Sequence, residues 1–140
     1  MLGALGAIAL VVAVAGCGSS GSGYANASRP PSPVSVSIYL TDDRVAVSPS
    51  HVGAGPVLLL IANESTRSRN VTLTAPAGTA QSCVAADASS GPINPQDTAR
   101  IKLPLVQGTC AVGDADGALP PALLVVGAER ASAQQDLLQP

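Results

Sequence analysis

Short apolar runs, each bounded by proline, glycine, asparagine or aspartate, are the feature that most limits what this chain can fold into. The sequence has 12 Pro and 14 Gly, two Tyr, and no Phe or Trp, so long amphipathic helices have few places to form. Residues 34–40 alternate apolar and polar side chains with a period of two, which is the pattern of a half-buried strand. Composition and alternation together favour an all-β fold.

Seven segments of this kind predict strands. They are residues 34–40, 44–48, 56–62, 69–75, 98–105, 109–113 and 122–128. The segment 77–97 is poorer in pattern, and we predict a long loop there with a short strand around Cys83. Strands of this length and spacing predict an antiparallel Greek-key β-sandwich of about seven strands.

The first residues carry a different signal. An apolar run from Leu2 to Val14 is too short to span a bilayer, falls in the length range of a signal peptide, and leads into Val14-Ala15-Gly16-Cys17. These four residues resemble the lipobox of bacterial lipoproteins. That resemblance implies that the thiol of Cys17 receives a diacylglycerol and anchors the chain at the extracytoplasmic face of the cell membrane. An ordinary secretory signal, or an uncleaved anchor with an incidental Cys17, are the alternatives.

The residues after Cys17 divide the chain further. A Gly/Ser-rich stretch at 18–23 is typical of a flexible tether. The predicted organisation is a signal peptide at 1–16, the lipidated cysteine and tether at 17–33, one β-sandwich domain at 34–128, and a loosely held tail at 129–140. About 124 residues after the signal are enough for one domain of ordinary size.

The charge pattern argues against nucleic acid as a partner. Seven basic and nine acidic residues give a net charge of -2, and a phosphate-binding surface needs clustered cations. The nearest approach to a cluster is Arg67 with Arg69, beside Glu64. The richness in Ala, Gly, Val and Pro is typical of GC-rich actinobacterial genomes.

The order of the motifs resembles that of the cupredoxins. In residues 47–57 a strand, a proline and a glycine turn precede an apolar strand that ends in Asn63, and Gly108-Thr109-Cys110-Ala111-Val112 is similar to the family's Gly-x-Tyr-x-Phe strand. The resemblance spans residues 34–128. It implies a cupredoxin-like sandwich.

A cupredoxin copper site takes two His, one Cys and a weak axial Met, and here the resemblance fails. The place of the first His is taken by Arg69, and the place of the Cys falls near Asp114. No His or Met follows in residues 115–140, the only His is His51, and the only Met is Met1. Since a guanidinium repels a metal ion, we predict no copper, no other metal and no cofactor.

Cys83 and Cys110 remain after Cys17 is assigned to the lipid. An even pair in an exported domain predicts a structural disulfide. A redox-active pair or two free thiols are the alternatives, although the Cys-x-x-Cys spacing that lowers a thiol pKa is absent.

No catalytic pattern stands out. His51 lies near Ser48 and Ser50 without a recognisable orienting carboxylate, so we do not expect an enzyme. The prediction is a noncatalytic interaction module, held at the membrane through Cys17 and open to an envelope protein partner. Its candidate interaction surface is the turn that carries Arg67 and Arg69. The alternative is an envelope redox or copper-handling protein that uses Cys83 and Cys110.

Overall fold

The computed structural model describes residues 29–79 and 81–132, which form eight strands and no helix. The strands are β1 (Val34–Leu40), β2 (Val45–Ser48), β3 (His51–Asn63), β4 (Arg69–Thr74), β5 (Ala88–Ile93), β6 (Thr98–Leu105), β7 (Gly108–Asp114) and β8 (Ala122–Glu129). The predicted all-β sandwich is confirmed, with one strand more than expected. The predicted antiparallel pairing does not hold throughout, because β3 runs parallel to both β1 and β8. Cys17, the signal peptide and most of the predicted tether and tail lie outside the described residues.

Two sheets make up the sandwich, and β3 belongs to both. The first sheet has the order β2-β1-β3-β6, and the second has the order β3-β8-β7-β4-β5. The first residues of β3 pair with β8, and residues 55–63 pair with β1 and β6. The chain passes between the sheets at Gly53 and Gly55. Gly55 has a φ of 126°, a conformation that glycine adopts without steric cost.

One strand was not predicted. Residues 88–93 form β5, so the prediction of a long loop over 77–97 is wrong there. Its sequence, Ala-Ser-Ser-Gly-Pro-Ile, has no apolar alternation and so gives no strand signal. β5 can form without one because it lies at the edge of its sheet and pairs only with β4, through an irregular register. The short strand expected around Cys83 is reduced to a single parallel bridge between Ser82 and Thr109.

Aliphatic side chains fill the core between the sheets. Ile38, Leu59, Leu73 and Leu124 are fully buried, and they alternate with outward-facing residues on their strands, as the period-two pattern requires. Cys83 and Cys110 are bonded to each other, with 5.2 Å between their Cα atoms and no exposed surface. The predicted disulfide therefore fastens the segment between β4 and β5 onto β7.

The two ends of the sandwich differ. At the tether end, Arg130 follows β8, and its side chain donates to the carbonyls of Gly53 (3.2 Å), Ser32 (2.6 Å) and Pro56 (2.5 Å). A Cβ at Gly53 would lie 2.5 Å from Arg130 Cγ, so glycine makes room for this side chain. Arg130 is thus part of the folded domain, although the sequence predicts that the domain ends at residue 128. Its hydrogen bond to Ser32 holds the end of the predicted tether on the domain. Within the described residues no helix could cross a membrane.

Candidate interaction site at the ion-pair end

A buried ion pair lies at the end of the sandwich opposite the tether. Arg69 begins β4 and Asp114 ends the antiparallel neighbour β7, where Asp114 is opposite Val71. Their side chains meet at 2.7 Å between Nη1 and Oδ2, with 7% and 0% of their surfaces exposed. The backbone N–H of Asn70 also donates to Asp114 Oδ1 (3.4 Å). Two positions that the cupredoxin resemblance assigns to copper ligands are therefore joined by a salt bridge.

Asn63, at the end of β3, organises the turn that leads to Arg69. Its amide donates to the carbonyls of Arg67 and Ile93, both at 2.8 Å. Its Oδ1 accepts from Ser65, at 3.0 Å from the backbone N–H and 2.6 Å from the hydroxyl. Because Asn63 is 1% exposed, these bonds replace the water it would otherwise need.

Ser65 links that turn to the ion pair. Its Oγ accepts from Arg69 Nε at 3.3 Å, so the guanidinium is held from two sides. Ser65 is not among the site residues predicted from the sequence. The sequence signal for Ser65 is Asn-x-Ser at the end of an apolar strand. An Asn side chain commonly forms an Asx turn by accepting a hydrogen bond from the backbone N–H two residues later.

Asp42 connects the β1–β2 turn to the same region. Its Oδ1 accepts from the backbone N–H and the hydroxyl of Thr66, both at 2.9 Å. These hydrogen bonds, with smaller contributions from the charges of Arg69 and Arg67, hold the pKa of the Asp42 carboxyl below its ordinary value of 3.8. The carboxylate thus stabilises the turn while remaining exposed.

The two arginines of the predicted interaction surface have different environments. Arg67 is exposed, whereas Arg69 is buried in the ion pair. Both line a shallow cavity of about 300 Å³ together with Asp42, Thr66 and Leu119. Its wall carries two arginines and one aspartate and holds no cysteine or histidine. The geometry fits polar recognition by Arg67, with Arg69 as the support beneath it.

Copper does not fit these residues. A guanidinium has no lone pair to offer and stays protonated at any physiological pH, and the oxygen Oδ2 of Asp114 is engaged by Arg69. Among residues 29–79 and 81–132, no group of three or more His, Cys, Asp and Glu could hold a metal ion. The chemistry of the donor set therefore matches a structural ion pair.

His51 lies away from this end. It is exposed at the start of β3, opposite Val125, and its Nδ1 is 3.1 Å from the hydroxyl of Ser50. In the described part of the chain no carboxylate is hydrogen-bonded to its ring. The geometry brings together the Ser and His of the weak catalytic pattern without an orienting acid.

No protein-family model matches the sequence, and no curated protein matches it. Among solved structures, the chain is similar to Na-dithionite reduced auracyanin from the photosynthetic bacterium Roseiflexus castenholzii, with a TM-score of 0.49 and 12% identity over 69% of this chain and 98% of that chain.

Proposed function

We propose that this chain is a lipid-anchored envelope protein whose sandwich is a noncatalytic interaction module without a copper site. One observation carries the proposal. Arg69 and Asp114, at the places where the cupredoxin resemblance puts ligands, form a buried ion pair at 2.7 Å. A charge pair of this kind holds the surrounding loops in one arrangement and offers a metal ion nothing to bind.

The position of the tether supports a role at the membrane surface. Arg130 fixes Ser32 at one end of the domain, and the Arg67 turn lies at the other end of β1. A seven-residue strand is about 23 Å long, so an anchor at Cys17 leaves the Arg67 turn well separated from the attachment point. A partner in the envelope therefore has access to it.

The Arg67 turn suits recognition because it is already ordered. Asn63 binds the carbonyl of Arg67 at 2.8 Å, and Thr66 is bound to Asp42. A rigid turn loses little conformational entropy when a partner binds, which favours affinity. Exposed arginine is also among the residues enriched at protein interfaces. We therefore assign the contact to Arg67 and the support to Arg69.

The redox alternative is disfavoured by the cysteines. Cys83 and Cys110 are bonded and fully buried, whereas thiols that exchange electrons or copper are partly exposed and reactive. A buried disulfide in an exported domain fits a structural role.

The proposal is tested in cells that express the chain. Replacing Cys17 with Ala is expected to release the protein from the membrane fraction, and mass spectrometry of the native chain is expected to find the acyl groups on Cys17. A photo-crosslinker at position 67 is expected to give one discrete adduct that Asp42→Ala weakens. A crosslinker at Arg29, which is exposed on the tether side, is the matched control. Equal adducts at both positions, or membrane retention without Cys17, contradict the proposal.

A further inference from the structure

The outward side of the first sheet differs from the rest of the surface. We call this surface the lateral face. Its residues are Tyr39 on β1, Leu58 and Leu60 on β3, and Arg100 and Lys102 on β6. The register places Leu60 beside Arg100 and Leu58 beside Lys102. The intervening residue of β3, Leu59, is fully buried on the core side. The central strand is therefore apolar on both of its sides.

The lateral face exposes apolar area. Tyr39 is 44% exposed, and Leu58 and Leu60 are half-buried although they point away from the core. Two shallow depressions lie along the face, one of about 230 Å³ beside Tyr39 and Leu60 and one of about 540 Å³ beside Leu58. Apolar area left open on a soluble domain commonly marks a surface that binds something.

The same face is positively charged. Arg100 and Lys102 are exposed, and neither forms an ion pair within the described residues, where the single ion pair joins Arg69 and Asp114. The outward positions of β1, β3 and β6 carry no carboxylate. The carboxylate of Asp97, which precedes β6, accepts from the backbone N–H of Thr98. A cationic, apolar face thus occurs on a chain of net charge -2.

We propose that the lateral face lies on the anionic lipid surface to which the chain is anchored, an inference that rests on the proposed lipid anchor. A bilayer with anionic phospholipid supplies both negative charge and an apolar interior over a flat area. Tyr, Lys and Arg are the side chains that settle at the headgroup level, since each joins an apolar stem to a polar end. Basic residues near such a surface are attracted to it.

The path of the chain favours the membrane over other occupants. Pro33, the last residue of the predicted tether, borders the lateral face beside Leu58 and Lys102. A Gly/Ser-rich coil of the length of residues 18–28, the part of the predicted tether that precedes the described residues, has a mean span of about 18 Å, so it holds the domain close enough for its side to reach the bilayer. The Arg67 turn remains open to a partner in this orientation, since it lies at an end of the sandwich.

Fluorescence tests the proposal on the acylated full chain in vesicles. The sequence has no Trp, so Tyr39→Trp places a single reporter on the lateral face. Leu123→Trp is the matched control, because Leu123 is 55% exposed on β8 of the other sheet. In vesicles with about one third phosphatidylglycerol, brominated lipid is expected to quench Tyr39→Trp roughly twofold or more above Leu123→Trp. Arg100→Ser with Lys102→Ser is expected to remove that difference, and circular dichroism checks the fold of each variant.

The outcomes separate this proposal from the one on which it rests. Flotation of the chain with neutral vesicles measures attachment through the lipid anchor independently of the lateral face. Failure to float overturns both the lipid anchor and the lateral contact. Flotation with equal quenching at positions 39 and 123 overturns the lateral contact alone. A concentration-dependent dimer that Arg100→Ser with Lys102→Ser abolishes, seen without differential quenching, assigns the face to a second copy and also overturns lipid contact.

Discussion

Arg69 and Asp114 are 45 residues apart in the sequence, and their side chains meet at 2.7 Å in a part of the molecule from which water is almost excluded. A buried charge pair owes its stability to good geometry and to further hydrogen bonds. Here Arg69 Nε donates to the Ser65 hydroxyl, and the Asn70 N–H donates to Asp114. Removing one member leaves the other charge buried without its partner. The ion pair therefore makes the two strand ends mutually dependent.

The first prediction concerns this dependence. Arg69→Met or Asp114→Leu alone is expected to lower the free energy of unfolding by about 3–5 kcal/mol, because a charge stays buried and unpaired. The double variant is expected to regain most of that loss, since both charges are gone. Urea denaturation of the four proteins measures the coupling. Additive losses in the double variant contradict the account.

Asn63 carries the second prediction. Asn63→Ala leaves the carbonyl of Ile93 without its side-chain donor and the carbonyl of Arg67 with the Ser65 hydroxyl alone, so the free energy of unfolding is expected to fall by about 2 kcal/mol. Asn94→Ala is the control, because Asn94 is exposed and uses only its backbone carbonyl, and it is expected to change stability by less than about 0.5 kcal/mol. Equal effects measured by thermal denaturation speak against the role given to Asn63.

The third prediction concerns the disulfide. Replacing Cys83 and Cys110 together with Ala is expected to destabilise the domain by about 3 kcal/mol, since the bond closes a loop across 27 residues. Alkylation of the native chain is expected to label neither residue before reduction in denaturant. Labelling of either cysteine in the folded, unreduced protein reopens the redox alternative.

Asp42 gives a prediction about pH. Its pKa in the folded chain lies below its ordinary value of 3.8, first because the Thr66 backbone N–H donates to it and then because the Thr66 hydroxyl does. Its carboxylate therefore stabilises the fold above about pH 3.8, and that contribution is lost as the pH falls through the lower, folded pKa. Carbon-detected NMR titration is expected to show Thr66→Val moving the pKa of Asp42 upward. An unchanged pKa excludes the hydroxyl as a cause.

The sequence predicted the parts of the fold that local pattern controls. Val34–Leu40 and Thr98–Leu105 were predicted with their observed bounds, because one face of each strand is apolar. β5 was missed because an edge strand with a bulge needs no apolar alternation; its contacts come from β4 and from the bond of the Val71 N–H to Ser90 Oγ. The motif order leads to Arg69 and to Asp114 one at a time, each as the place of a copper ligand in the resembling family. Their meeting depends on the pairing of β4 with β7, which no local pattern reveals.

An ion pair stands where the cupredoxin resemblance places metal ligands, so copper titration of the purified chain is the decisive measurement. Cu(I) and Cu(II) are added before and after reduction of the Cys83–Cys110 bond, and bound metal is counted per chain. We predict no stoichiometric binding in either state and no change when Arg69 is replaced by Met. One tightly bound copper per chain, in either state, contradicts this prediction.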